Sequence, residues 1–297
     1  MRGFLTDVPG LAVGHVTRRG DGWLTGVTVV VPPPGTVGGV DVRGGGPGTH
    51  ETDALDPRTL VPTVDAVVLT GGSAYGLVTA HGVQRFLAER GRGFPVGPGP
   101  GEVVPIVPAA AVFDLGRGGV FGNHPTEQMG YEAAAAARTG QFARGVVGAG
   151  TGALVGGRFK GGVGTASATA GDCVVGALAV VNAVGLPAPG PVVPGPLNTT
   201  LVVVATDAAL DPAETSRTAT AAHDGLARAL NPVHTLADGD TVFALATGGA
   251  ALAQERRARV GQLVELQRVA ADVVRAAVLD GLACAETVGD WPPYPLR

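Results

Sequence analysis

A threonine directly after an asparagine is the first residue whose position could do chemistry. Asn198 and Thr199 follow a proline-rich stretch and precede the apolar run 200–205. An internal threonine hydroxyl has no built-in base, but a threonine at a new chain terminus can use its own α-amine, whose pKa is roughly 8. Cleavage between the two residues would create nucleophile and base together. Threonine is also an ordinary strand former, so the local sequence leaves both interpretations open.

Two carboxylates separated by one glycine are the second candidate group. Asp238-Gly239-Asp240 leads into the predicted strand 241–246. Carboxylates at this spacing can point the same way from a turn and hold an amine and a hydroxyl by charge-assisted hydrogen bonds. An ordinary Asp-Gly turn has the same residues, and spacing alone favours that simpler interpretation.

A lysine in a glycine-rich segment and an asparagine closing an apolar run are further candidates. Phe159 precedes Lys160 where a phosphate-binding loop requires glycine, so a phosphate site is not predicted. Lys160 is then either a surface charge or a cation directed at a developing oxyanion. Asn182 follows the apolar run 174–181, and its amide could cap the strand end or donate to an oxyanion.

Other nucleophiles and metal ligands find less support. Ser73 lies in the glycine-rich segment 71–76, but a nucleophile elbow requires glycine where Tyr75 stands, so this segment is interpreted as a helix N-terminus that could line a pocket. Cys173 and Cys284 lie in apolar runs and are expected to be buried thiols. The six histidines have no tight ligand spacing, so no metal site is predicted.

Composition excludes several classes of protein. A chain of 297 residues with 45% hydrophobic residues can bury a large core, and its net charge of -4 with scattered arginines offers no basic stripe for nucleic acid. The N-terminus does not resemble a signal peptide, and no uninterrupted apolar stretch of about 18 residues is present. We therefore expect a soluble cytoplasmic protein with no nucleic-acid or membrane partner.

Apolar patterning predicts the elements that must position these residues. Short valine-rich runs predict buried strands over 27–31, 66–69, 145–147, 174–181, 200–205 and 241–246, and longer amphipathic segments predict helices over 74–90, 126–138, 211–230 and 261–285. Asp211-Pro212 is typical of a helix start. Five prolines make 185–197 a loop ending at Asn198. Strands apolar on both faces, with helices between them, predict a layered α/β fold.

Six regions of the sequence, in this order, resemble the L-aminopeptidase/D-esterase (DmpA-type) family, which includes β-peptidyl aminopeptidases and nylon-oligomer hydrolase. The regions are residues 5–10 with 13–15, 40–45, 71–77, 160–167, 198–200 and 238–243. Each is weakly specific alone, but their order and spacing are highly specific together, and they cover nearly the whole chain.

The resemblance implies a single α/β domain, a four-layer αββα sandwich like that of N-terminal-nucleophile hydrolases. It also implies autocleavage into an α chain, residues 1–198, and a β chain, residues 199–297. Carried over by motif, Thr199 is the nucleophile, as in the nylon-oligomer branch. The counterparts of four further residues surround it there: Lys160, Asn182, Asp238 and Asp240.

Substrate contacts are less well defined by the resemblance. Phe113 stands where the nylon-oligomer branch has a tyrosine that contacts substrate, so a hydroxyl is missing there. We expect Phe113 and Tyr75 to contact substrate. The resemblance implies no cofactor and suggests a homo-oligomer of αβ units.

The sequence thus predicts a self-processing amide hydrolase that works through an acyl-enzyme. One alternative is an acyltransferase of the ornithine acetyltransferase type, which passes the acyl group to an amine instead of water. A second is a catalytically inactive relative that binds a small molecule, with an intact chain and no turnover. The substrate class stays open among α-peptides, β-peptides, D-amino-acid amides or esters and synthetic linear amides.

Overall fold

A computed structural model describes residues 1–99, 101–187 and 198–296. Its strands are β1 (Ala12–Gly20), β2 (Trp23–Val31), β3 (Val37–Val42), β4 (Thr49–His50), β5 (Val67–Thr70), β6 (Phe94–Pro95), β7 (Val103–Val104), β8 (Ala109–Ala111), β9 (Leu154–Val155), β10 (Phe159–Lys160), β11 (Val163–Ala170), β12 (Cys173–Asn182), β13 (Thr199–Ala208) and β14 (Thr241–Ala250). Its α-helices are α1 (Ser73–Gly76), α2 (Thr79–Ala88), α3 (Glu127–Ala135), α4 (Pro212–Ala229) and α5 (Arg256–Ala283). Short 3-10 helices lie at Leu5–Asp7, Thr52–Leu55 and Gly148–Gly150.

Within these described ranges ten of the strands form two five-stranded sheets. The first sheet has the order β1-β2-β5-β8-β4, and the second has the order β11-β12-β13-β14-β3. In the second sheet β12 and β13 are antiparallel neighbours, whereas β13 and β14 are parallel. The parallel pair brings the start of β14 beside the start of β13, where Thr199 lies.

The alternating direction of side chains along the strands explains how the sheets and helices form layers. In β13, Leu201 and Val203 belong to the core between the two sheets, while Val202 and Val204 belong to the core beneath helices. Successive side chains of a strand point to opposite faces, so a strand that is buried on both faces reads as a continuous apolar run. Both faces of β13 are therefore covered.

Helices cover the outer face of each sheet. α4 and α5 pack on the second sheet through Leu226 and Val273, among others, and α2 and α3 pack on the first sheet through Val83 and Met129. The chain is thus a four-layer αββα sandwich, as the resemblance implied.

Most predicted elements are present, with corrected bounds. Asp211 caps α4 as predicted: its carboxylate accepts from the Glu214 N–H at 2.8 Å, and the Glu214 side chain accepts from the Asp211 N–H at 3.1 Å. The predicted helix 74–90 is divided into α1 and α2. The predicted loop 185–197 lies largely outside the described residues.

One predicted strand is wrong. Residues 145–147 form no strand, because Gly145 has a φ of +78° and pairs with Val163 only as an isolated bridge. A positive φ interrupts the extended backbone that a strand requires. α5 begins at Arg256, earlier than predicted, because the Glu255 side chain accepts from the N–H groups of the first turn.

Candidate active site

Strand register places two of the predicted site residues side by side. Asn182 ends β12 and Thr199 begins β13, and the two are direct partners in the antiparallel ladder. Leu178 and Leu201, an even number of residues away on each strand, face the layer between the sheets. Asn182 and Thr199 therefore share that face, at the edge of the apolar layer.

The bond between Asn198 and Thr199 is buried and already in contact with hydrogen-bond donors. Thr199 is 3% exposed and Asn198 is 5% exposed. The Thr199 hydroxyl donates to the carbonyl oxygen of Asn198 at 2.5 Å, and the Gly239 N–H donates to the same oxygen at 2.9 Å. Two donors therefore polarise the Asn198 carbonyl group.

Gly239 lies closer to Thr199 than a residue with a side chain could. A Cβ at this position would lie 2.6 Å from Thr199 Oγ1 and 3.0 Å from the carbonyl oxygen of Gly46. Atoms at such distances overlap, so glycine is required for the close approach. This explains the glycine between the two aspartates, which the spacing alone did not.

The carboxylate of Asp240 lies beside the main chain that follows Thr199. Asp240 Oδ1 accepts from the Thr200 N–H at 2.7 Å. Its Oδ2 accepts from the N–H of His234 at 3.0 Å and contacts His234 Nδ1 at 2.8 Å. Because a carboxylate only accepts hydrogen bonds, His234 Nδ1 carries the proton in this contact.

Asp238 is held from the same loop. Its Oδ2 accepts from the N–H of Thr235 at 2.8 Å and from the Thr235 hydroxyl at 2.7 Å. Burial, followed by the negative charge of Asp240, raises the pKa of Asp238. The pair therefore offers one carboxylate that gains a proton more readily than an exposed aspartate does.

The Asn182 amide is fixed at its oxygen and unpaired at its nitrogen. Arg117 Nη1 donates to Asn182 Oδ1 at 2.6 Å, and the Leu154 N–H donates to it at 3.0 Å. Asn182 Nδ2 is buried, and no described residue accepts a hydrogen bond from it. A buried donor without a partner is the arrangement expected of a group that could donate a hydrogen bond to an oxyanion.

Lys160 is fully buried, so it is not the surface charge that the sequence left open. Its Nζ donates to the carbonyl oxygens of Gly150 at 3.1 Å, Ala153 at 2.5 Å and Gly161 at 3.1 Å. Burial and then the charge of Arg117 lower the pKa of Lys160 to about 7. Hydrogen bonds from the ammonium group to carbonyl oxygens act in the opposite direction, because they favour the charged form. These bonds hold the segment that carries Leu154.

The two expected substrate contacts differ in exposure. Tyr75 is 61% exposed and stacks on His124 with ring centroids 5.1 Å apart, and Phe113 is half-buried. Across the described ranges, no hydrogen bond or ring contact joins either side chain to Thr199. The segment 46–48 contacts both neighbourhoods, since Pro47 is close to Gly239 and the Gly48 carbonyl accepts from the N–H of Ala111.

Sequence reasoning did not identify Arg117 or His234. Arg117 meets Asn182 across 65 positions of the chain, and His234 lies outside the Asp-Gly-Asp motif. No local motif marks either residue. Tertiary structure brings Arg117 to Asn182, whereas His234 reaches Asp240 within one loop, six positions away.

Metal ligation and membrane insertion find no structural support where the structure describes the chain. No group of three or more His, Cys, Asp or Glu side chains there could hold a metal ion. None of the helices described is both long enough and apolar enough to cross a bilayer.

Comparison with known proteins decides the family. The model of peptidase family S58 matches residues 4–291. The chain belongs to peptidase family S58. Family S58 membership makes it a peptidase, an enzyme that hydrolyses amide bonds.

Relatives within and around family S58 agree with this assignment. The chain is 48% identical to an uncharacterized aminopeptidase of Mycobacterium tuberculosis, over 98% of this chain and 96% of that protein. It is 28% identical to the 6-aminohexanoate-oligomer endohydrolase of Kocuria sp. (strain KY2), over 92% of this chain and 84% of that protein.

Solved structures agree on the fold. A beta-aminopeptidase of Burkholderia sp. superposes with a TM-score of 0.77 at 27% identity, covering 97% of this chain and 88% of the other. The L-aminopeptidase D-ala-esterase/amidase of Ochrobactrum anthropi, described as a variant of the Ntn-hydrolase fold, gives a TM-score of 0.77 at 23% identity, with 97% and 88% coverage. This S58 peptidase therefore has the N-terminal-nucleophile-hydrolase fold.

Proposed function

We propose that this S58 peptidase cleaves itself between Asn198 and Thr199 and then hydrolyses amide substrates with Thr199 as its N-terminal nucleophile. The observation that carries the proposal is the contact of the Thr199 hydroxyl and the Gly239 N–H with the Asn198 carbonyl oxygen. A hydroxyl in this position needs only a small movement to reach the carbonyl carbon.

Self-cleavage proceeds by an acyl shift. Thr199 Oγ1 attacks the carbonyl carbon of Asn198, and the Gly239 N–H stabilises the negative charge that develops on the oxygen. The C–N bond then breaks, an ester joins Asn198 to the Thr199 oxygen, and the hydroxyl proton ends on the nitrogen that becomes the α-amine. Water hydrolyses the ester and releases the Asn198 carboxylate and the Thr199 hydroxyl.

Turnover of an external amide uses the groups that cleavage sets free. The α-amine of Thr199 accepts the hydroxyl proton during attack on the substrate carbonyl and returns it to the leaving amine. Asp240 already contacts the adjacent Thr200 N–H, so its charge is placed to orient the new amine together with Asp238. Water then hydrolyses the acyl-enzyme.

The unpaired Asn182 Nδ2 supplies the oxyanion donor for this second reaction, because it lies on the face that Thr199 shares. Lys160 supports this donor indirectly in the uncleaved chain, through the carbonyl groups that it binds. If cleavage rearranges that segment, its ammonium becomes a second donor to the oxyanion.

Relatives suggest the substrate class. The aminopeptidases and the 6-aminohexanoate-oligomer hydrolase among them have amide substrates in common. We therefore infer that this peptidase acts on peptides or other linear amides. Phe113 and the exposed Tyr75 are the side chains proposed to contact the substrate.

Hydrolysis of a panel of amides by the purified protein tests the proposal. The panel contains p-nitroanilides of L-, D- and β-amino acids and a linear oligomer of 6-aminohexanoate, each with and without an added amino-acid acceptor. We expect hydrolysis by the wild type and none by Thr199→Ala, with no preference for acyl transfer over water. Equal turnover by wild type and Thr199→Ala would exclude Thr199 as the nucleophile, and dominant transfer to the acceptor would instead indicate an acyltransferase.

A further inference from the structure

We infer that Arg117 is a positioning residue that holds the Asn182 amide in the one orientation that directs its NH2 group toward the reacting carbonyl. The inference rests on the proposed function, since it concerns the oxyanion donor of that reaction. It assigns a role to a residue outside the sequence motifs of the site.

Orientation matters because the two ends of an asparagine amide have the same shape and opposite chemistry. Oδ1 only accepts hydrogen bonds, and Nδ2 only donates them. Arg117 Nη1 and the Leu154 N–H both point at the same amide atom, at 2.6 Å and 3.0 Å. Two donors require an acceptor between them, so that atom is the oxygen. A flipped amide would place NH2 against two N–H groups.

Fixing the oxygen also fixes the nitrogen. Asn182 is 0% exposed, and its Nδ2 has no acceptor among the described residues. Asn182 and Thr199 are cross-strand partners on one face, where partner Cβ atoms lie about 5 Å apart. The free NH2 therefore lies next to the nucleophile, on the side of the amide away from Arg117.

Arg117 is itself well anchored for this task. Its Nη1 also donates to the carbonyl oxygen of Gly152 at 2.7 Å, and its main-chain N–H donates to the carbonyl oxygen of Asp114 at 3.2 Å. Burial lowers the pKa of Arg117 to about 10, against the opposing effect of the Asp114 charge, so the guanidinium stays charged at neutral pH. Hydrogen bonds from a charged donor are about twice as strong as neutral ones.

Lys160 also helps to fix the donors around the Asn182 oxygen. Its bonds to the carbonyl groups of Gly150 and Ala153 fix the segment that carries Leu154, the second donor to the amide oxygen. Arg117 binds Gly152 of the same segment. Two basic side chains, Arg117 and Lys160, thus hold one short loop against one asparagine oxygen.

A double-mutant cycle between Arg117→Met and Asn182→Ala tests the role, with kcat and KM measured on the best amide substrate of the wild type. Asn182→Ala should lower kcat by on the order of 100-fold, as expected for loss of one oxyanion donor. Arg117→Met should lower kcat at least 10-fold with KM changed less than about 3-fold, because only the transition-state contact is lost. In the Asn182→Ala background, Arg117→Met should change kcat by less than about 2-fold.

Two further variants separate positioning from general stability. Arg92→Met is the matched control: Arg92 also donates to a buried carbonyl, that of Pro32, at 2.6 Å and contacts Asp65 at 3.2 Å, so its loss should lower the melting temperature while kcat is kept. Arg117→Lys keeps the charge and one donor group. It should fold even if Arg117→Met does not, lower kcat less than Arg117→Met in the wild-type background, and have no effect in the Asn182→Ala background.

An equally large loss of kcat from Arg117→Met or Arg117→Lys in both backgrounds would overturn the inference, as would a rise in KM with unchanged kcat. Failure of the proposed function gives a different result, since the wild type itself would then show neither Thr199-dependent hydrolysis nor a chain break.

Discussion

Gly239→Ala is the substitution that most sharply tests the proposed reaction geometry at the Asn198–Thr199 bond. The added methyl would lie 2.6 Å from Thr199 Oγ1, about 0.8 Å short of an ordinary contact. The methyl group cannot move away from Thr199, because main-chain atoms lie close to it: the Gly46 oxygen at 3.0 Å and Pro47 Cα at 3.2 Å. The hydroxyl or the whole turn must therefore shift by several tenths of an ångström.

A shift of this size at a reacting group should slow the reaction strongly. A misplacement of about 1 Å costs roughly 100-fold in rate, or about 2.7 kcal/mol of activation free energy. The same shift also moves the Gly239 N–H, which donates to the Asn198 oxygen at 2.9 Å. We therefore expect self-cleavage of Gly239→Ala to be slower than that of the wild type by on the order of 100-fold.

Intact mass spectrometry of samples taken at intervals after synthesis measures this rate. Gly261→Ala is the matched control, because a Cβ at this helical position meets nothing within 4 Å. The control should cleave at the wild-type rate and be up to about 1 kcal/mol more stable, since alanine favours a helix. A Gly239→Ala chain that folds and cleaves as fast as the wild type would refute the proposed attack geometry.

Three further predictions concern charge and pH. Asp240→Asn places an NH2 group where Oδ2 accepts hydrogen bonds from His234. We therefore expect the free energy of unfolding to fall by about 1–3 kcal/mol and kcat to fall at least 10-fold. Unchanged values in urea unfolding and in steady-state kinetics would contradict this. His234→Ala should lower kcat with little change in KM, because it frees Asp240 to turn; a change in KM alone in steady-state kinetics would argue against it. Burial lowers the pKa of His223 from 6.5 to about 4, so the unfolded chain binds more protons between these values. Stability should therefore fall by up to roughly 3 kcal/mol as pH drops from about 6.5 to about 4, and His223→Gln should flatten this slope in urea unfolding at different pH values; an unchanged slope would exclude His223 as its source.

Much of the fold could be predicted from the sequence because its strands are buried on both faces. The apolar runs 174–181, 200–205 and 241–246 correspond to β12, β13 and β14, the strands that carry the site. β1 was missed because half of it is exposed and carries polar residues, so no apolar run marks it. The strand predicted over 145–147 is the opposite error: the run is apolar, but Gly145 has a positive φ that only the tertiary structure explains.

The candidate site was predictable only where its residues are close in sequence or belong to a family motif. Asp238 and Asp240 flank a glycine, and Asn198 precedes Thr199. The structure brings these two short motifs into contact, as the family motif implied. Arg117 contacts Asn182 from a distant segment of the chain, and no local pattern reveals this contact. The burial of Lys160 likewise depends on tertiary structure rather than on its glycine-rich surroundings.

The state of the Asn198-Thr199 bond in purified protein tests the central proposal most directly. Intact mass spectrometry of the wild type should give two fragments, residues 1–198 and 199–297, with Thr199 at the new N-terminus, and Thr199→Ala should give one chain of 29.4 kDa. A wild-type protein that stays a single chain while it hydrolyses amides, or a Thr199→Ala chain that is still cut after Asn198, would contradict it.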